Sequence, residues 1–190
     1  MAIGRRARPR ASRGAAVLLA TVLAGAAGVL ALWWVRRSSF GVERSDRMAK
    51  NADGSRRMIE EVFGAGNYDL ADELVAANAM GHDPALPEPT VGPEGVKESA
   101  RGYRGAFPDL KLTIEQQVAE GDYVATRWSA RGTHKAELFG IAATGKESTV
   151  TGITIDRWAG GKIAESWTNW DTLGMLQQLG VVPQLGAKAA

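Results

Sequence analysis

The chain reads Gly132-Thr133-His134 and then, after two residues, Glu137-Leu138-Phe139-Gly140-Ile141 and Ala143-Thr144-Gly145-Lys146. A second set of pieces follows and consists of Gly161-Lys162-Ile163, Glu165-Ser166-Trp167, Asp171, Gly174 and Gln177-Gln178-Leu179-Gly180. This stretch, residues 132–180, decides the fold. The order and spacing of these short motifs are far more specific for one fold than any single motif is. A lone Gly-Thr-His would carry no information.

From Leu110 onward, apolar and polar residues alternate, which indicates β-strands. We expect antiparallel strands at about residues 110–120, 122–133, 148–159 and 162–171. Ala159-Gly160-Gly161 is a hairpin signal between the last two of these strands. Residues 137–146 are predicted to form a loop, and residues 172–179 a short helix.

Before Leu110 the apolar residues recur at helical spacing instead. Residues 48–63 form one such series, and Gly64-Ala65-Gly66-Asn67 is expected to end the helix. Asp69 can cap a short second helix that runs through Val75. The first part of the domain is therefore predicted to be helical.

Residues 81–93 contain four prolines and are expected to form a loop. Pro93 suits the first position of a third helix. That helix is expected to end at Phe107, because the residue before a proline avoids the α region. Helices followed by a run of antiparallel strands are typical of the α+β class.

The pieces quoted above resemble the SnoaL-like polyketide cyclase family, whose members are also called ester cyclases. The resemblance covers about residues 55–180. It implies an α+β cone, in which a curved antiparallel sheet wraps around helices and encloses one pocket. It also implies a small hydrophobic, carbonyl-containing or polyketide-like ligand and cyclase, isomerase or hydrolase activity by general acid–base chemistry.

Alternation places Thr154, Thr168 and Trp170 on one face of the last hairpin. The resemblance implies that this face lines the pocket, because Thr168 stands where the studied cyclases carry an acid/base aspartate. Thr154 stands where those cyclases carry a second polar residue, a histidine. A threonine hydroxyl titrates too high to serve as a base near neutral pH, so another group must act if the chain is catalytic.

Two residues are the candidates for that role, Asp171 and His82. Asp171 is the nearest carboxylate, and the alternative role, which its position favours, is to cap the helix that follows it. His82 belongs to His82-Asp83-Pro84, and the resemblance implies a place near the pocket mouth; the alternative is a loop histidine bonded to backbone. His134, at a strand end, is expected to be structural. The predicted ligand-contacting residues are Thr154, Thr168, Trp128, Trp170 and Tyr103.

No cofactor is expected, and no metal, because the histidines and acids lack ligand spacing and the chain has no cysteine. The competing hypothesis is a non-catalytic module that binds a small apolar molecule. Thr154 and Thr168 favour that hypothesis, because neither titrates, while Asp171 and His82 keep the enzyme hypothesis open. The fold is also compatible with a homo-oligomer.

Residues 15–35 form an uncharged apolar run between two arginine clusters. About 20 such residues span a bilayer, and Trp33-Trp34 suits the interface. A cleavable signal peptide ending near Ala24-Gly25-Ala26 is the alternative. The predicted organisation is a basic tail (1–14), a single-pass membrane anchor (15–35), a linker (36–50), the folded domain (51–180) and a C-terminal tail (181–190).

Charge is distributed unevenly along the chain. Residues 38–190 hold 16 basic and 21 acidic residues, a net charge of −5, whereas the first 37 residues hold seven basic residues and no acidic one. An acidic domain without a basic stripe is a poor candidate for nucleic-acid binding. Five basic residues precede the apolar run and five follow it closely, so the positive-inside count is a tie. Because translocating a short tail with five arginines is unfavourable, a cytoplasmic N-terminus is favoured and the domain is expected outside the cytoplasm.

Overall fold

A computed structural model describes residues 41–183. The chain divides into two compact units, Met1–Ser45 and Asp46–Ala190. No helix within the described range is both long and apolar enough to cross a bilayer. The predicted anchor at residues 15–35 lies outside that range and stays a prediction.

Residues 41–57 are helical, and this helix, α1, continues as a π-helix over Met58–Ala65. It ends at Gly66, which adopts a left-handed conformation with φ 77°, as the glycine-rich sequence predicted. Residues 41–50, expected within a linker, are helical. The linker expectation rested on polar composition, which an exposed helix shares.

Gly54 lies in the middle of α1, where the indole of Trp158 occupies the space that a Cβ would need. A glycine costs a helix about 0.5–1 kcal/mol relative to alanine. Here its absent side chain lets the helix approach the sheet closely. Trp158 Nε1 donates to Ser55 Oγ over 3.1 Å at the same contact.

Helix α2 spans Leu70–Leu74 and leads directly into strand β1, Val75–His82. Strand β2 is Thr90–Val91, and helix α3 is Gly92–Ala106. Neither strand was predicted, because α2 was expected to run through Val75 and residues 81–93 were expected to form a loop. The small residues of β1 show no alternation, and although β1 pairs with the two-residue strand β2, its longer pairing is with β6, more than 80 residues away in the chain.

Strands β3 (Lys111–Glu120), β4 (Tyr123–Thr133), β5 (Glu147–Ala159) and β6 (Lys162–Trp170) precede helix α4 (Thr172–Leu179). These bounds confirm the predicted strands to within one residue. The sheet order is β2-β1-β6-β5-β4-β3. Because β1 runs parallel to β6 and all other pairs are antiparallel, the sheet is mixed, and the expectation of a purely antiparallel sheet was wrong.

The sheet is bent by local features of its strands. Register shifts occur between Ile114 and Gln116 on β3 and between Arg157 and Trp158 on β5. Such bulges bend a strand and increase its twist. Gly160 and Gly161 turn the β5–β6 hairpin with φ of 58° and 79°, the positive values that a tight hairpin turn requires.

Two apolar clusters fill the space between sheet and helices. The first lies beneath α1 and α2 and includes Val62, Leu70, Ala71, Val124 and Trp158. The second joins the end of α3 to α4 and includes Ala106, Phe107, Leu138, Met175 and Leu179. Strand β5 contributes to both clusters, through Trp158 and Val150, and the space between the clusters is the site described next.

Candidate active site

A cavity of about 190 Å³ lies between the helices and the concave side of the sheet. Its wall is mostly apolar and draws on the π-helical end of α1, on α3 and on the strands. Representative wall residues are Met58, Phe63, Leu86, Val96, Leu112 and Val150. Most polar groups of the wall lie on the β5–β6 hairpin and at the end of β1, which form the more polar side of the cavity, and Thr90, Ser99 and Arg131 also line it.

The hairpin face predicted to be inward is the one that lines the cavity. Thr154 pairs across the strands with Thr168, and Gly152 pairs with Trp170. The structure brings Thr154, Thr168, Trp128, Trp170 and Tyr103 together along the cavity wall. The alternate residues, such as Ile153 and Ile155, are exposed on the other face of the sheet.

Thr154 and Thr168 bond to each other, with 3.0 Å between their Oγ1 atoms. Trp128 Nε1 donates to Thr154 Oγ1, also over 3.0 Å. The Trp128 ring fits there because it packs on Gly152, where any Cβ would collide with it. Thr154 and Thr168 thus form an uncharged polar contact in the cavity wall. Their hydroxyls can position a ligand carbonyl but cannot accept a proton near neutral pH.

Asp83 organises the aromatic part of the wall. Its Oδ2 accepts from the Tyr103 hydroxyl over 2.8 Å, and its Oδ1 accepts from Trp170 Nε1 and the Ala85 backbone N–H over 2.9 Å each. Burial, together with the charge and hydrogen bond of Asp83, raises the pKa of Tyr103 above its ordinary value. Tyr103 therefore stays protonated, and Asp83 is committed to holding the two rings.

His82 borders the cavity, but its ring is engaged elsewhere. The imidazole stacks on Trp167 with 5.9 Å between ring centroids, and its Nε2 lies 3.3 Å from Glu165 Oε1. Neither Trp167 nor Glu165 lines the cavity. Strand alternation puts both on the face opposite Thr168, so the imidazole faces away from the polar side of the cavity.

Asp171 is not part of the cavity wall. Its Oδ1 accepts from the Gly174 backbone N–H over 2.8 Å, which makes it the N-cap of α4. Gly174 makes room for the carboxylate, since a Cβ there would collide with it. Of the two alternatives that the sequence left open, the geometry gives Asp171 the capping role, and it does not bring Asp171 and His82 together.

His134 lies outside the cavity wall as well. It is buried, contacts the Phe107 ring at 5.2 Å between centroids, and its Nδ1 lies 3.3 Å from the backbone N and the Oγ1 of Thr144. These contacts fix the loop after β4, in keeping with a structural role. Within residues 41–183 no cluster of three or more His, Asp or Glu side chains could hold a metal.

Asp156, which is not among the predicted site residues, lines the cavity and is only 3% exposed. Ser166 Oγ donates to its Oδ1 over 2.7 Å, and Ser55 is a second hydrogen-bond partner. A signal for it existed. Asp156 is two residues beyond Thr154 on β5, so the alternation that selected Thr154 and Thr168 also selects Asp156 and its cross-strand neighbour Ser166.

Burial raises the pKa of Asp156 above its ordinary value, because a desolvated carboxylate loses the water that stabilises its charge. The hydrogen bonds from Ser55 and Ser166 act in the opposite direction but are smaller effects. The other carboxylate of the wall is Asp83, whose two oxygens already accept three hydrogen bonds. Asp156 is therefore the cavity carboxylate best suited to exchange a proton.

The family model for SnoaL-like polyketide cyclases matches residues 55–179. Two curated relatives are both named aklanonic acid methyl ester cyclase. DnrD of Streptomyces peucetius is 29% identical over 138 residues, which cover 70% of this chain and 92% of DnrD. DauD of Streptomyces sp. (strain C5) is also 29% identical over 138 residues, with 70% and 83% covered.

Solved structures show the same fold. TsrD from Streptomyces laurentii superposes with a TM-score of 0.63 at 26% identity, covering 70% of this chain and 97% of TsrD. IdmH from Streptomyces antibioticus superposes with a TM-score of 0.59 at 34% identity, covering 68% of this chain and 98% of IdmH. The similarity therefore extends over nearly the full length of both proteins and includes the strands that build the cavity.

Proposed function

Because the chain belongs to the SnoaL-like polyketide cyclase family, we propose that it is an enzyme that binds a compact apolar carbonyl compound and acts on it as a cyclase, isomerase or hydrolase by general acid–base chemistry. The observation that carries this proposal is the cavity of about 190 Å³, with apolar walls and one polar side. Such a cavity excludes water and orients a ligand through few polar contacts.

The size of the cavity and the names of the relatives indicate the substrate class. Clefts for drug-sized ligands measure about 300–1,000 Å³, and this cavity of about 190 Å³ is smaller. A molecule of one or two fused rings is the appropriate size. The curated relatives are named for a methyl ester substrate, which supports a ligand with a carbonyl group that hydroxyls such as those of Thr154 and Thr168 can contact.

A specific observation favours the second candidate function, a non-catalytic binding module. Thr154 and Thr168 bond to each other where the family resemblance implies titratable groups. Ligand binding needs only the apolar wall and a polar contact, whereas catalysis needs a group that exchanges a proton. An enzyme and a binding module would therefore both bind the ligand, and only the enzyme would turn it over.

The proposal is tested with 2-tetralone, a two-ring ketone, added to the full-length protein. Trp128 and Trp170 line the cavity, so binding is expected to change the protein's tryptophan fluorescence. Deuterium incorporation next to the carbonyl, measured by NMR in D₂O, reports acid–base turnover. We expect the protein to bind the ketone and to accelerate the exchange. Binding without exchange would favour the binding module, and the absence of binding would contradict both functions.

A matched pair of variants checks that binding takes place in the cavity. Val150→Phe adds a ring to the cavity wall, whereas Thr151→Phe adds the same ring to the exposed face of the same strand. The added ring at position 150 takes up cavity volume that the ketone needs, and each ~1.4 kcal/mol of lost binding free energy is tenfold in affinity. Val150→Phe should weaken binding about tenfold or more, and Thr151→Phe should leave it within about twofold. Equal effects would place the ligand elsewhere.

A further inference from the structure

Asp156 stands in the cavity wall with two serines as its hydrogen-bond partners, and no basic side chain of residues 41–183 forms an ion pair with it. We propose that Asp156 is the proton-transfer residue of this cavity, which takes a proton from the carbon next to a ligand carbonyl and returns it later in the reaction. This inference rests on the proposed function and names the group that performs its chemistry.

The partners of Asp156 suit a group that changes protonation state. Ser166 Oγ lies 2.7 Å from its Oδ1, and Ser55 bonds to the same carboxyl group. A serine hydroxyl can donate to a carboxylate and can accept from a carboxylic acid. Trp158 Nε1 donates to Ser55 Oγ over 3.1 Å, which holds that hydroxyl in place. The charged and the neutral forms of Asp156 are therefore both accommodated without movement of the backbone.

The charged groups around Asp156 are paired on the other face of the sheet. Arg157 Nη2 lies 3.1 Å from Glu165 Oε2, and His82 Nε2 lies 3.3 Å from Glu165 Oε1. Alternation directs Arg157 and Glu165 away from Asp156. On α1 the group that meets Asp156 is Ser55, and on β4 its cross-strand neighbour is Val124. Burial therefore governs its proton affinity, and a raised pKa makes the carboxylate a stronger base.

Asp156 is also well placed relative to the threonine pair. It lies two residues from Thr154 on the same face of β5, about 6.6 Å along the strand. A carbonyl oxygen hydrogen-bonded to Thr154 or Thr168 would direct a neighbouring carbon toward Asp156. The other candidates are less suitable, since Asp83 holds two rings and Asp171 caps α4.

The reaction balances without a further reactant. Ionised Asp156 removes a proton from the carbon next to the carbonyl, and the electrons of that C–H bond form an enolate. In a cyclisation the enolate carbon attacks a second carbonyl, and the resulting alkoxide takes the proton back from the Asp156 carboxylic acid. In simple exchange, Asp156 trades the proton with solvent and returns a deuteron to the enolate. Asp156 ends ionised in both cases.

The test compares deuterium exchange of 2-tetralone by the full-length parent protein and by Asp156→Asn, with Asp122→Asn as a matched control on the surface. A positioned base contributes about 10²–10⁴-fold. We expect Asp156→Asn to lose about that factor in kcat with little change in KM, while Asp122→Asn matches the parent. The parent rate should rise with pH as Asp156 ionises, and this rise should be absent in Asp156→Asn.

Ser166→Ala provides a second variant that keeps the carboxyl group. Removing a donor to the carboxylate raises its pKa, so the rising limb of the pH profile should move to higher pH. A purely structural role for Ser166 would lower the rate without moving the limb. If Asp156→Asn exchanges 2-tetralone as fast as the parent and with the same pH dependence, the assignment of Asp156 is overturned, while the enzymatic function stands. A parent that binds but does not exchange would overturn the assignment and the enzymatic function together.

Discussion

At the residue scale, the site depends on how each polar side chain of the cavity is partnered. Asp83 is saturated by Tyr103, Trp170 and a backbone N–H, and its role is to hold two rings. Asp156 has only hydroxyl partners and is almost completely buried. A buried carboxylate with this environment favours its neutral form and destabilises the fold when it ionises.

The difference in stability between the parent and Asp156→Asn should therefore depend on pH. The pKa of Asp156 is raised in the folded chain, so the folded state binds the proton more tightly than the unfolded state does. Folded-state stability then falls as pH rises from the ordinary pKa of about 3.9 through the raised value. Asparagine cannot ionise, so the variant should exceed the parent in Tm at pH 8, and the difference should shrink toward pH 4.

Thermal unfolding followed by circular dichroism measures this difference. Each 1 kcal/mol corresponds to about 2–4 °C in Tm for a chain of this size. Asp122→Asn serves as the control, since Asp122 is exposed and contacts Arg47 on the surface. An Asp156→Asn variant that is less stable than the parent by the same amount at both pH values would contradict an ionisation effect.

Sequence alternation was sufficient to identify Thr154, Thr168 and Trp170 as one face. The same alternation places Asp156 on that face, but an acidic residue in a strand ordinarily points to solvent, so the pattern does not predict its burial in the cavity wall. The partners of Asp156 could not be predicted from the sequence at all. Ser55 is about 100 residues earlier in the chain and reaches the carboxyl group only through the packing of α1 on β5.

At the element scale, the last hairpin and α4 were predictable because their signals are local. Two glycines with positive φ close the hairpin, and Asp171 caps the helix three residues before Gly174. Strand β1 was not predictable in this way. It is defined by parallel pairing with β6, and such long-range pairing leaves little trace in the local pattern.

Asp171 provides a test of the capping role. Replacing an N-cap aspartate by alanine costs about 0.5–2 kcal/mol, whereas asparagine retains most of the cap. Asp171→Ala should therefore lower the free energy of unfolding by about 1 kcal/mol in urea titration, and Asp171→Asn by much less. Both variants should exchange 2-tetralone at the parent rate. A large loss of exchange in Asp171→Asn, with stability retained, would return Asp171 to the catalytic candidates.

At the scale of the whole molecule, the cavity exists because two apolar clusters pack the ends of the domain and leave the middle of the sheet uncovered. The family resemblance predicted a pocket and which hairpin face lines it, and the strand pattern predicted which residues share that face. Neither predicted its volume, since side chains from distant parts of the chain, such as Met58, Leu86 and Met175, set the wall together.

The most direct measurement is a crystal structure of the protein with 2-tetralone bound. We expect the ketone to lie in the cavity, with its carbonyl oxygen about 2.7–3.0 Å from a Thr154 or Thr168 hydroxyl. The carbon next to the carbonyl should lie about 3–3.5 Å from a carboxylate oxygen of Asp156. A ketone bound on the outer face beside His82 and Trp167, or one that leaves Asp156 out of reach in the cavity, would contradict this account.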